Sequence, residues 1–428
     1  MSNPPRIKSI TVKGLFNQFD HHIELNQEER ITILHGINGV GKTTILQMIA
    51  RSFNFGHFYF NPPFSYFEIE STNEKKLIIK KDDRYDFKYF FLNQEKFSFD
   101  DLYKKSILKA VPFLKERNGV FYDSHYVDYN EPLSLIDIEK LSLTDVEERY
   151  KYYGIPSRES VFKSEFNSKF IYIPIHFIKS SRILSMEYRK KSQTIRDTVK
   201  IYASEFRQII KTAMEDYAKK TQELEQTFPF RVLDVSEYYI GDVLKERIKT
   251  LQEKRQELRN IKLLPATDLP LMNSESISKL EKNYSTLMSF YVKDSEEKLK
   301  VLEPLGQKIK LFLNIINGKF QGKELRIDEN KGFIIIGKDK KEIDLSLLSS
   351  GEQHELVMFY DLIFKVEPNT LVMIDEPELS LHVTWQNKFI DELKQIVELS
   401  KFDVLIATHS STIIGKNSHL MVRLGVNE

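Results

Sequence analysis

The stretch Leu371-Val-Met-Ile-Asp-Glu-Pro-Glu-Leu-Ser-Leu-His382 decides the fold of this chain. Its four apolar residues, 371–374, lead directly into the adjacent carboxylates of Asp375 and Glu376. An uninterrupted apolar run predicts a strand that is buried on both faces, so the two carboxylates follow its carboxyl end. Open α/β sheets bind ligands at that edge. We therefore expect Asp375 to hold Mg²⁺, directly or through water, and Glu376 to orient a water for attack.

A second motif predicts a phosphate site. Residues 36–43, Gly-Ile-Asn-Gly-Val-Gly-Lys-Thr, fit the pattern G-x-x-x-x-G-K-[ST], follow an apolar strand at 31–34 and open a helix. In such a loop backbone N–H groups cradle phosphates, the Lys reaches the β- and γ-phosphates, and the Thr hydroxyl is a ligand of Mg²⁺. The nucleotide-binding candidates in this loop are Asn38, Gly39, Gly41, Lys42, Thr43 and Thr44, with Thr43 also a metal ligand.

Two further stretches complete the set. Residues 348–353, Leu-Ser-Ser-Gly-Glu-Gln, start an amphipathic helix, and the apolar strand 404–407 runs into Thr408 and His409. Taken alone, His409 would more often be a structural histidine than a catalytic one. An isolated Asp-Glu pair would likewise more often end a buried strand in a charged turn. The presence of all four motifs on one chain favours the catalytic interpretation.

In this order the four motifs resemble those of the ABC-type ATPases, specifically the SMC-like branch that includes RecF and the OLD-family proteins. The resemblance covers roughly the first 50 and the last 85 residues. It implies an α/β fold, an ABC-type P-loop NTPase head whose mixed sheet is flanked by helices. It also implies that Asp375 is the Walker B aspartate, that Glu376 is the catalytic glutamate and that His409 is the switch histidine. The nucleotide-binding residues it adds are the signature, Ser349, Ser350, Gly351 and Glu352, and the D-loop residue Ser380.

The resemblance further implies a dimer. In an ABC-type head the signature lies far from the P-loop of its own chain, so only a second copy, packed head to tail, can present it to the γ-phosphate. We therefore expect a homodimer, or a higher even-numbered oligomer, that encloses ATP and Mg²⁺ between its copies. Lys42, Glu376 and His409 are then the catalytic residues.

Composition is ordinary for a soluble globular protein, and we expect a cytoplasmic location and no membrane partner. The chain has 428 residues, of which 41% are hydrophobic and 29% charged. It has no cysteine, which excludes disulfides and thiolate zinc sites. With 63 basic and 62 acidic residues, no global basicity indicates nucleic acid, although a local basic groove remains possible. The N-terminus lacks the features of a signal peptide, and the apolar run near residues 170–178 is too short to span a bilayer.

Hydrophobic periodicity and the motif positions divide the chain into four segments. The middle of the chain carries helical stripes that predict an arm or lever with helices roughly 40–50 Å long, so the head contains a large, mainly helical insertion. Related ATPases often have a Gln beside an Arg after the strand near 170–178, but here Ser181 precedes Arg182, so the Q-loop residue stays open. The segments are the N-terminal part of the head (1–96), a family-specific insertion that returns to the head (97–185), the helical arm (186–318) and the C-terminal part of the head (319–428).

The resemblance also favours a functional class. Residues 375–382, DEPELSLH, are closer to the ATPases of prokaryotic antiviral defence systems than to transporters. OLD-family and Gabija-type ATPases carry a C-terminal TOPRIM nuclease, whereas this sequence ends 19 residues after His409 (428 minus 409). We therefore expect a separate effector, either a TOPRIM-type protein as in PARIS or an H-N-H nuclease as in Septu. The sequence leaves that choice open, with a slight preference for the first.

The main alternative is a RecF- or SMC-like ATPase of DNA repair or chromosome maintenance that binds DNA directly. It requires strong DNA binding by the head or the arm, which the balanced charge does not favour. The ATPase subunit of a transporter is disfavoured by the long insertion and by the SMC-like signature. A scaffold without hydrolysis is least favoured, because every catalytic position is intact.

Overall fold

The computed structural model describes two compact units. The first is built from residues 1–180, 367–378 and 401–428, and the second from residues 181–366 and 379–400. The described residues within them are 4–53, 62–80, 89–93, 95–98, 114–117, 120–123, 173–179, 195–233, 239, 241–265, 282–379 and 381–425.

The strands and helices of the described residues are numbered here in chain order. The first part of the chain contains β1 (Ile7–Leu15), β2 (Phe19–Glu24), β3 (Ile31–His35), α1 (Lys42–Phe53), β4 (Tyr66–Ser71), β5 (Lys76–Lys80), β6 (Tyr89–Leu92), β7 (Glu95–Ser98), β8 (Leu114–Arg117), β9 (Val120–Asp123) and β10 (Ile175–Lys179). The rest contains α2 (Ile195–Leu233), α3 (Gly241–Asn260), α4 (Lys282–Lys319), β11 (Lys323–Asp328), β12 (Gly332–Gly337), β13 (Glu342–Ile343), α5 (Ser350–Tyr360), β14 (Leu371–Asp375), α6 (Val383–Ser400), β15 (Asp403–Thr408), α7 (Ser411–Ile414) and β16 (Met421–Arg423).

A five-stranded parallel sheet in the order β10-β14-β15-β3-β16 forms the centre of the first unit. All of β15 is buried, as are the first four residues of β3 and of β14. Strands buried on both faces require nearly continuous apolar runs, and the sequence has such runs at 371–374, at 404–407 and, interrupted only by Thr32, at 31–34. Because parallel strands end at the same edge, the segments that follow β3, β14 and β15 lie side by side.

A six-stranded antiparallel sheet in the order β2-β1-β4-β5-β6-β7 also belongs to the first unit. Its strands alternate: in β4, Phe67 and Ile69 are buried, whereas Glu68 and Glu70, which alternate with them, are only partly buried. The buried side joins one hydrophobic core with the apolar face of α1 and with one face of the parallel sheet. This core packs against Val40 of the P-loop and against α1, the helix that follows it.

Three helices and a small sheet dominate the second unit. α2 and α4 run antiparallel, as the ion pairs Arg231–Asp294 and Lys298–Glu225 show, since higher numbers on one helix meet lower numbers on the other. α3 runs parallel to α4, because Arg247 pairs with Glu296, Lys254 with Glu303 and Lys310 with Glu257. The buried stripe of α2 includes Val199, Phe206 and Ile210, which the helical period of the sequence predicts.

An aromatic cluster packs side chains of α2, α4 and β12 against the signature helix α5. Its rings lie 5.9–6.2 Å apart, in tilted and edge-to-face arrangements that suit aromatic pairs. Gly332 at the start of β12 allows α2 to approach, because a Cβ there would lie 1.9 Å from the carbonyl oxygen of Ala203. The fully buried members of the cluster are Phe206, Phe312, Phe333 and Tyr360.

The predicted α/β P-loop head with a large, mainly helical insertion is confirmed. The single mixed sheet is not: among the described residues the central sheet pairs only in parallel, and the antiparallel strands form a separate sheet. Two details of the helices differ from what the hydrophobic periodicity of the sequence predicts. The helices α2 and α4 have 39 and 38 residues and α3 has 20, so the arm is less uniform than predicted. The signature helix ends at Tyr360 and continues as a π-helix over Asp361–Lys365. Within the described ranges, no helix is both long and apolar enough to cross a membrane.

Candidate active site

Three neighbouring strands bring the predicted catalytic motifs together in the first unit. β14 pairs with β15 and β15 pairs with β3, all in parallel, and the three carboxyl ends are in register: Asp375 is opposite Ala407, and Thr408 is opposite His35. The P-loop follows β3, the Asp-Glu pair ends β14, and His409 follows β15. Motifs more than 300 residues apart therefore meet at one edge of the sheet, as the apolar runs indicate.

Lys42 is at the centre of this edge. Its Nζ donates hydrogen bonds to the carbonyl oxygens of Gly36 (2.8 Å) and Ile37 (3.1 Å), and the residue is only 5% exposed. Burial lowers the pKa of the Lys42 ammonium, although nearby carboxylates, those of Glu376, Glu378 and Asp375, act in the opposite direction. A cation held by neutral carbonyls of its own loop can exchange them for the stronger hydrogen bonds of phosphate oxygens.

The β1–β2 hairpin fixes the shape of the P-loop. Gly41 has a φ of +99°, and a Cβ there would lie 2.4 Å from Leu15 Cδ2, so this position requires glycine. His21 Nε2 is 2.9 Å from the Val40 carbonyl oxygen, and burial lowers the pKa of His21, which favours a neutral ring that donates Nε2–H. Asn38 and Gly39 at the tip are exposed, and Thr44 in the first turn of α1 is half-buried.

The two predicted metal ligands are adjacent. The Thr43 hydroxyl donates a 2.9 Å hydrogen bond to Asp375 Oδ1, so both oxygens can reach one small cation without any backbone movement. A hydroxyl and a carboxylate, both oxygen donors, fit Mg²⁺, which keeps several waters and takes few protein ligands. The donor set therefore fits the magnesium ion that the motifs imply.

Glu376 and His409 face each other beyond this pair. Glu376 has a left-handed backbone (φ 48°), and its N–H continues the β14–β15 ladder by donating to the Ala407 oxygen at 2.8 Å. Its Oε1 lies 3.8 Å from His409 Nε2, and both side chains are about one-third exposed (36% and 32%). His409 Nδ1 is 3.2 Å from Lys42 Nζ. Because an ammonium only donates, Nδ1 accepts, and the proton of the neutral ring lies on Nε2, toward Glu376.

A third carboxylate at this edge, Glu378, was not assigned a role from the sequence. Its Oε2 accepts from the Thr408 hydroxyl and its Oε1 accepts from the His409 backbone N–H, each at 2.8 Å. The available signal was the third carboxylate in Asp375-Glu-Pro-Glu378, which follows the same strand end. Strand patterns alone do not show which neighbouring loop such a carboxylate reaches.

The signature is part of the second unit. Ser349 caps α5, and Glu352 completes a capping box: Glu352 N donates to Ser349 Oγ (3.3 Å) and Ser349 N donates to Glu352 Oε2 (2.8 Å). The Glu352 carboxylate also pairs with Lys323 at 2.8 Å, so within one copy it holds the helix end in place. Ser350 is exposed, and Gly351 faces Trp385 with room for a Cβ at 4.0 Å. Ser380 and the Q-loop candidates Ser181 and Arg182 lie outside the described residues.

Comparison with solved structures finds head domains of SMC proteins. The Smc head domain with an extended coiled coil bound to the C-terminal domain of ScpA, from Pyrococcus furiosus, is 13% identical over 96% of this chain and 91% of that chain, with a TM-score of 0.39. The SMC head domain from Thermotoga maritima is also 13% identical over the same shares, with a TM-score of 0.36. The SmcHead bound to the C-winged helix domain of ScpA is 11% identical over 99% and 94%, with a TM-score of 0.40. Such low identities and scores carry no conclusion about function.

Comparisons with curated proteins and with protein-family models gave different results. No curated protein matches the chain significantly. The family model described as AAA ATPase domain, however, matches residues 6–414, which is nearly the whole chain and includes the P-loop, the signature, the Asp-Glu pair and His409. The chain therefore belongs to the AAA ATPase domain family.

Proposed function

We propose that this chain binds ATP with Mg²⁺ and hydrolyses it in a dimer whose copies pack head to tail. The observation that carries the proposal is the convergence, at one sheet edge, of a phosphate-binding lysine, a hydroxyl–carboxylate pair and a glutamate–histidine pair. These are the groups that phosphoryl transfer requires, since its catalysis consists of positioning and of charge stabilisation. Family membership supports nucleotide binding in the same region.

Each group at the edge has a distinct task. Lys42 releases the Gly36 and Ile37 carbonyls and binds the β- and γ-phosphates. Thr43 and Asp375 hold Mg²⁺, which supplies neutralisation of the phosphate charge. Glu376 accepts a hydrogen bond from the attacking water, while His409 donates from Nε2 to the γ-phosphate. The water oxygen forms a bond to the γ-phosphorus as the bond to the β–γ bridging oxygen breaks and ADP leaves with the electron pair. The proton of the water passes to the Glu376 carboxylate and from there to the released phosphate.

The signature supplies the argument for two copies. Ser349 and Ser350 lie at the exposed N-terminus of α5, a favourable position for a phosphate. Within its own unit this end is already rigid, through the capping box and Lys323. We propose that it binds the γ-phosphate held by the P-loop of the other copy, so that each ATP contacts two chains.

Complementation between two inactive variants tests this arrangement. Lys42→Ala disables a P-loop, and Gly351→Asp puts a carboxylate where the γ-phosphate would bind. Gly351 has room for a Cβ, and an acidic residue suits the first turn of a helix, so the second variant should fold. In a 1:1 mixture, each mixed dimer has one site with both partner surfaces intact. We expect ATP hydrolysis that neither variant shows alone.

The controls distinguish the possible outcomes. Lys42→Ala mixed with a Lys42→Ala/Gly351→Asp double variant contains no intact composite site and should remain inactive. A mixture of the two single variants that stays inactive, while wild-type protein is active and both variants are folded by thermal melting, would contradict the head-to-tail dimer. Hydrolysis by Lys42→Ala alone would contradict the site itself.

We further propose that the nucleotide state controls a separate effector in antiphage defence. In the second unit the last residue of α4, Lys319, contacts Glu355 on the signature helix at 3.2 Å, so a force on α5 is transmitted to the long helices. An effector docked on them would feel the nucleotide state as a difference in affinity, typically about 1–3 kcal/mol. The resemblance to the ATPases of PARIS and Septu supports a TOPRIM-type or H-N-H nuclease in this role.

Purification with the products of neighbouring genes tests the effector proposal. We expect one product to co-purify, and its DNA or RNA cleavage to depend on ATP and on Lys42. Cleavage by the ATPase alone, or failure of every neighbouring product to bind, would contradict it. The rival role, direct DNA binding, is tested in the same experiment by adding duplex DNA. On the described helices many basic residues are already paired with acidic ones, including Arg231, Arg247 and Lys254.

A further inference from the structure

The Glu378 carboxylate joins the loops that follow two neighbouring strands. Glu378 lies in the 3₁₀ turn Pro377–Leu379 directly after β14. From there its two oxygens reach residues at the end of β15, accepting from the Thr408 hydroxyl and from the His409 backbone N–H at 2.8 Å each. The Thr408 hydroxyl in turn accepts from the Ser410 N–H at 2.9 Å. Three consecutive residues, 408–410, are therefore held by one carboxylate and one hydroxyl.

This network determines where the His409 ring can lie. Its backbone N–H is fixed by Glu378, and its ring lies between two groups of the site, with Nδ1 3.2 Å from Lys42 Nζ and Nε2 3.8 Å from Glu376 Oε1. A shift of about 1 Å in the position of a catalytic group can reduce a rate on the order of 100-fold. Without the Glu378 hydrogen bonds, the turn after β15 would lose the contacts that hold the ring at these distances.

We propose that Glu378 is a positioning residue for ATP hydrolysis, which fixes the turn 408–410 and thereby aims His409 at the γ-phosphate. The inference rests on the proposed function and adds to it a residue that acts through His409. Glu378 differs from Glu376 in this respect. Both Glu378 oxygens are engaged by donors of the β15 turn, whereas the Glu376 carboxylate is approached by His409 Nε2 at 3.8 Å, beyond hydrogen-bond distance. Of the two glutamates, Glu376 is therefore the one placed to contact water.

A double-mutant cycle in the full-length protein tests the proposal. Its members are wild type, Glu378→Ala, His409→Ala and the double variant, assayed for Mg²⁺-dependent ATP hydrolysis and for binding of a fluorescent ATP analogue. We expect Glu378→Ala to lower kcat roughly 10-fold to 100-fold while KM and analogue affinity change less than about threefold. In the His409→Ala background, Glu378→Ala should lower kcat by less than about twofold, because its effect passes through the missing ring.

A matched control separates positioning from stability. Asp403 is at the opposite end of β15 and pairs with Arg6, whose Nε donates to both carboxylate oxygens at 2.8 and 3.0 Å. Asp403→Asn should lower the melting temperature and leave kcat per folded molecule unchanged. Thr408→Val removes one of the two donors to Glu378, together with the acceptor of the Ser410 N–H, and serves if Glu378→Ala does not fold. It should lower kcat by less than Glu378→Ala and also lose its effect in the His409→Ala background.

The possible results separate this inference from the proposed function. Absence of ATP hydrolysis by the wild-type protein would overturn the proposed function and this inference with it. If the wild type hydrolyses ATP, a Glu378→Ala variant with wild-type kcat would overturn the inference alone. The inference would also be overturned if Glu378→Ala lowered kcat by the same factor with and without the His409 ring. It would be overturned as well if Glu378→Ala changed only KM. If only Thr408→Val folds, the same three outcomes apply to it.

Discussion

Two clusters of charged residues in this molecule differ in their contact with solvent. At the sheet edge of the first unit, the Glu376 and His409 side chains are 36% and 32% exposed. In the second unit, Lys319 lies 3.2 Å from Glu355 and 2.9 Å from Glu392, and the three side chains are 2%, 0% and 12% exposed. The first cluster is open to a ligand, whereas the second is closed within the protein.

This difference in exposure corresponds to two roles of charged residues, ligand binding and stabilisation of the fold. At the edge, Lys42 is held by carbonyls of its own loop and by a histidine, contacts that a phosphate can replace. In the buried cluster, Lys319 joins three helices, with Glu355 on α5 and Glu392 on α6, and lies 4.9 Å from the Phe359 ring and 5.5 Å from the Trp385 ring. Charges this deep persist only when they are paired. Substitutions at the edge should therefore change turnover, and those in the cluster should change stability.

Lys42→Ala should have the largest effect on activity. It removes the only ammonium placed by the P-loop motif to neutralise the β- and γ-phosphates, so hydrolysis should fall by roughly 100-fold or more. Steady-state phosphate release measures the rate, and thermal melting serves as the control, since the fold should survive. A variant that is folded and hydrolyses ATP at the wild-type rate would contradict the assignment of the edge as the ATP site.

Glu376→Gln should retain binding but lose turnover. The amide keeps the shape of the side chain and some of its hydrogen bonding but not the charge that polarises water, so kcat should fall about 100-fold. Bound ATP should then hold the dimer closed. Light scattering during gel filtration, with and without ATP and Mg²⁺, measures the mass. A variant that stays monomeric with ATP, or that hydrolyses it at the parental rate, argues against the head-to-tail mechanism.

The two clusters also differ in how far the sequence predicts them. Apolar runs ending in Asp375 and His409, and the glycines before Lys42, specify strands, a loop and a shared sheet edge, so local pattern is enough to place most of the ATP site. The contacts of Glu378, and the grouping of Lys319 with Glu355 and Glu392, depend on how distant segments pack. No periodicity encodes such pairs, and each of these residues reads as an ordinary surface charge in its own helix or turn.

Lys319→Met should have the largest effect on stability. The substitution keeps much of the volume of the side chain but leaves two carboxylates buried without their cation, which costs about 3–5 kcal/mol when a buried pair is broken in this way. Urea unfolding followed by circular dichroism measures the loss. The surface pair Lys331–Glu342, whose side chains are 58% and 44% exposed, provides the control, because Lys331→Met should change stability far less than Lys319→Met. Equal effects of the two substitutions would remove the distinction between the clusters.

The smallest effect concerns pH and the Glu355 carboxyl. Burial raises the pKa of Glu355 from 4.5 to about 7, although Lys319 acts in the opposite direction. Between these two pH values the folded protein retains a proton that the unfolded chain releases, so stability falls as pH rises through this window and levels off above it. Relative to Glu355→Gln, which has no proton to lose, the wild type should become less stable by on the order of 1–3 kcal/mol between pH 5 and 8.

Urea unfolding of both proteins at several pH values measures this difference. Burial also raises the pKa of Glu392, which faces the same ammonium, so Glu355→Gln should keep a weaker slope of the same sign. The double variant Glu355→Gln/Glu392→Gln should lose that slope as well. Parallel curves for wild type and Glu355→Gln from pH 5 to 8 would show that Glu355 is ionised throughout this range and would contradict the raised pKa. A wild type that gains stability relative to Glu355→Gln as pH rises below pH 5 would reverse the sign and place the Glu355 pKa below its ordinary value, as expected for a strong ion pair with Lys319.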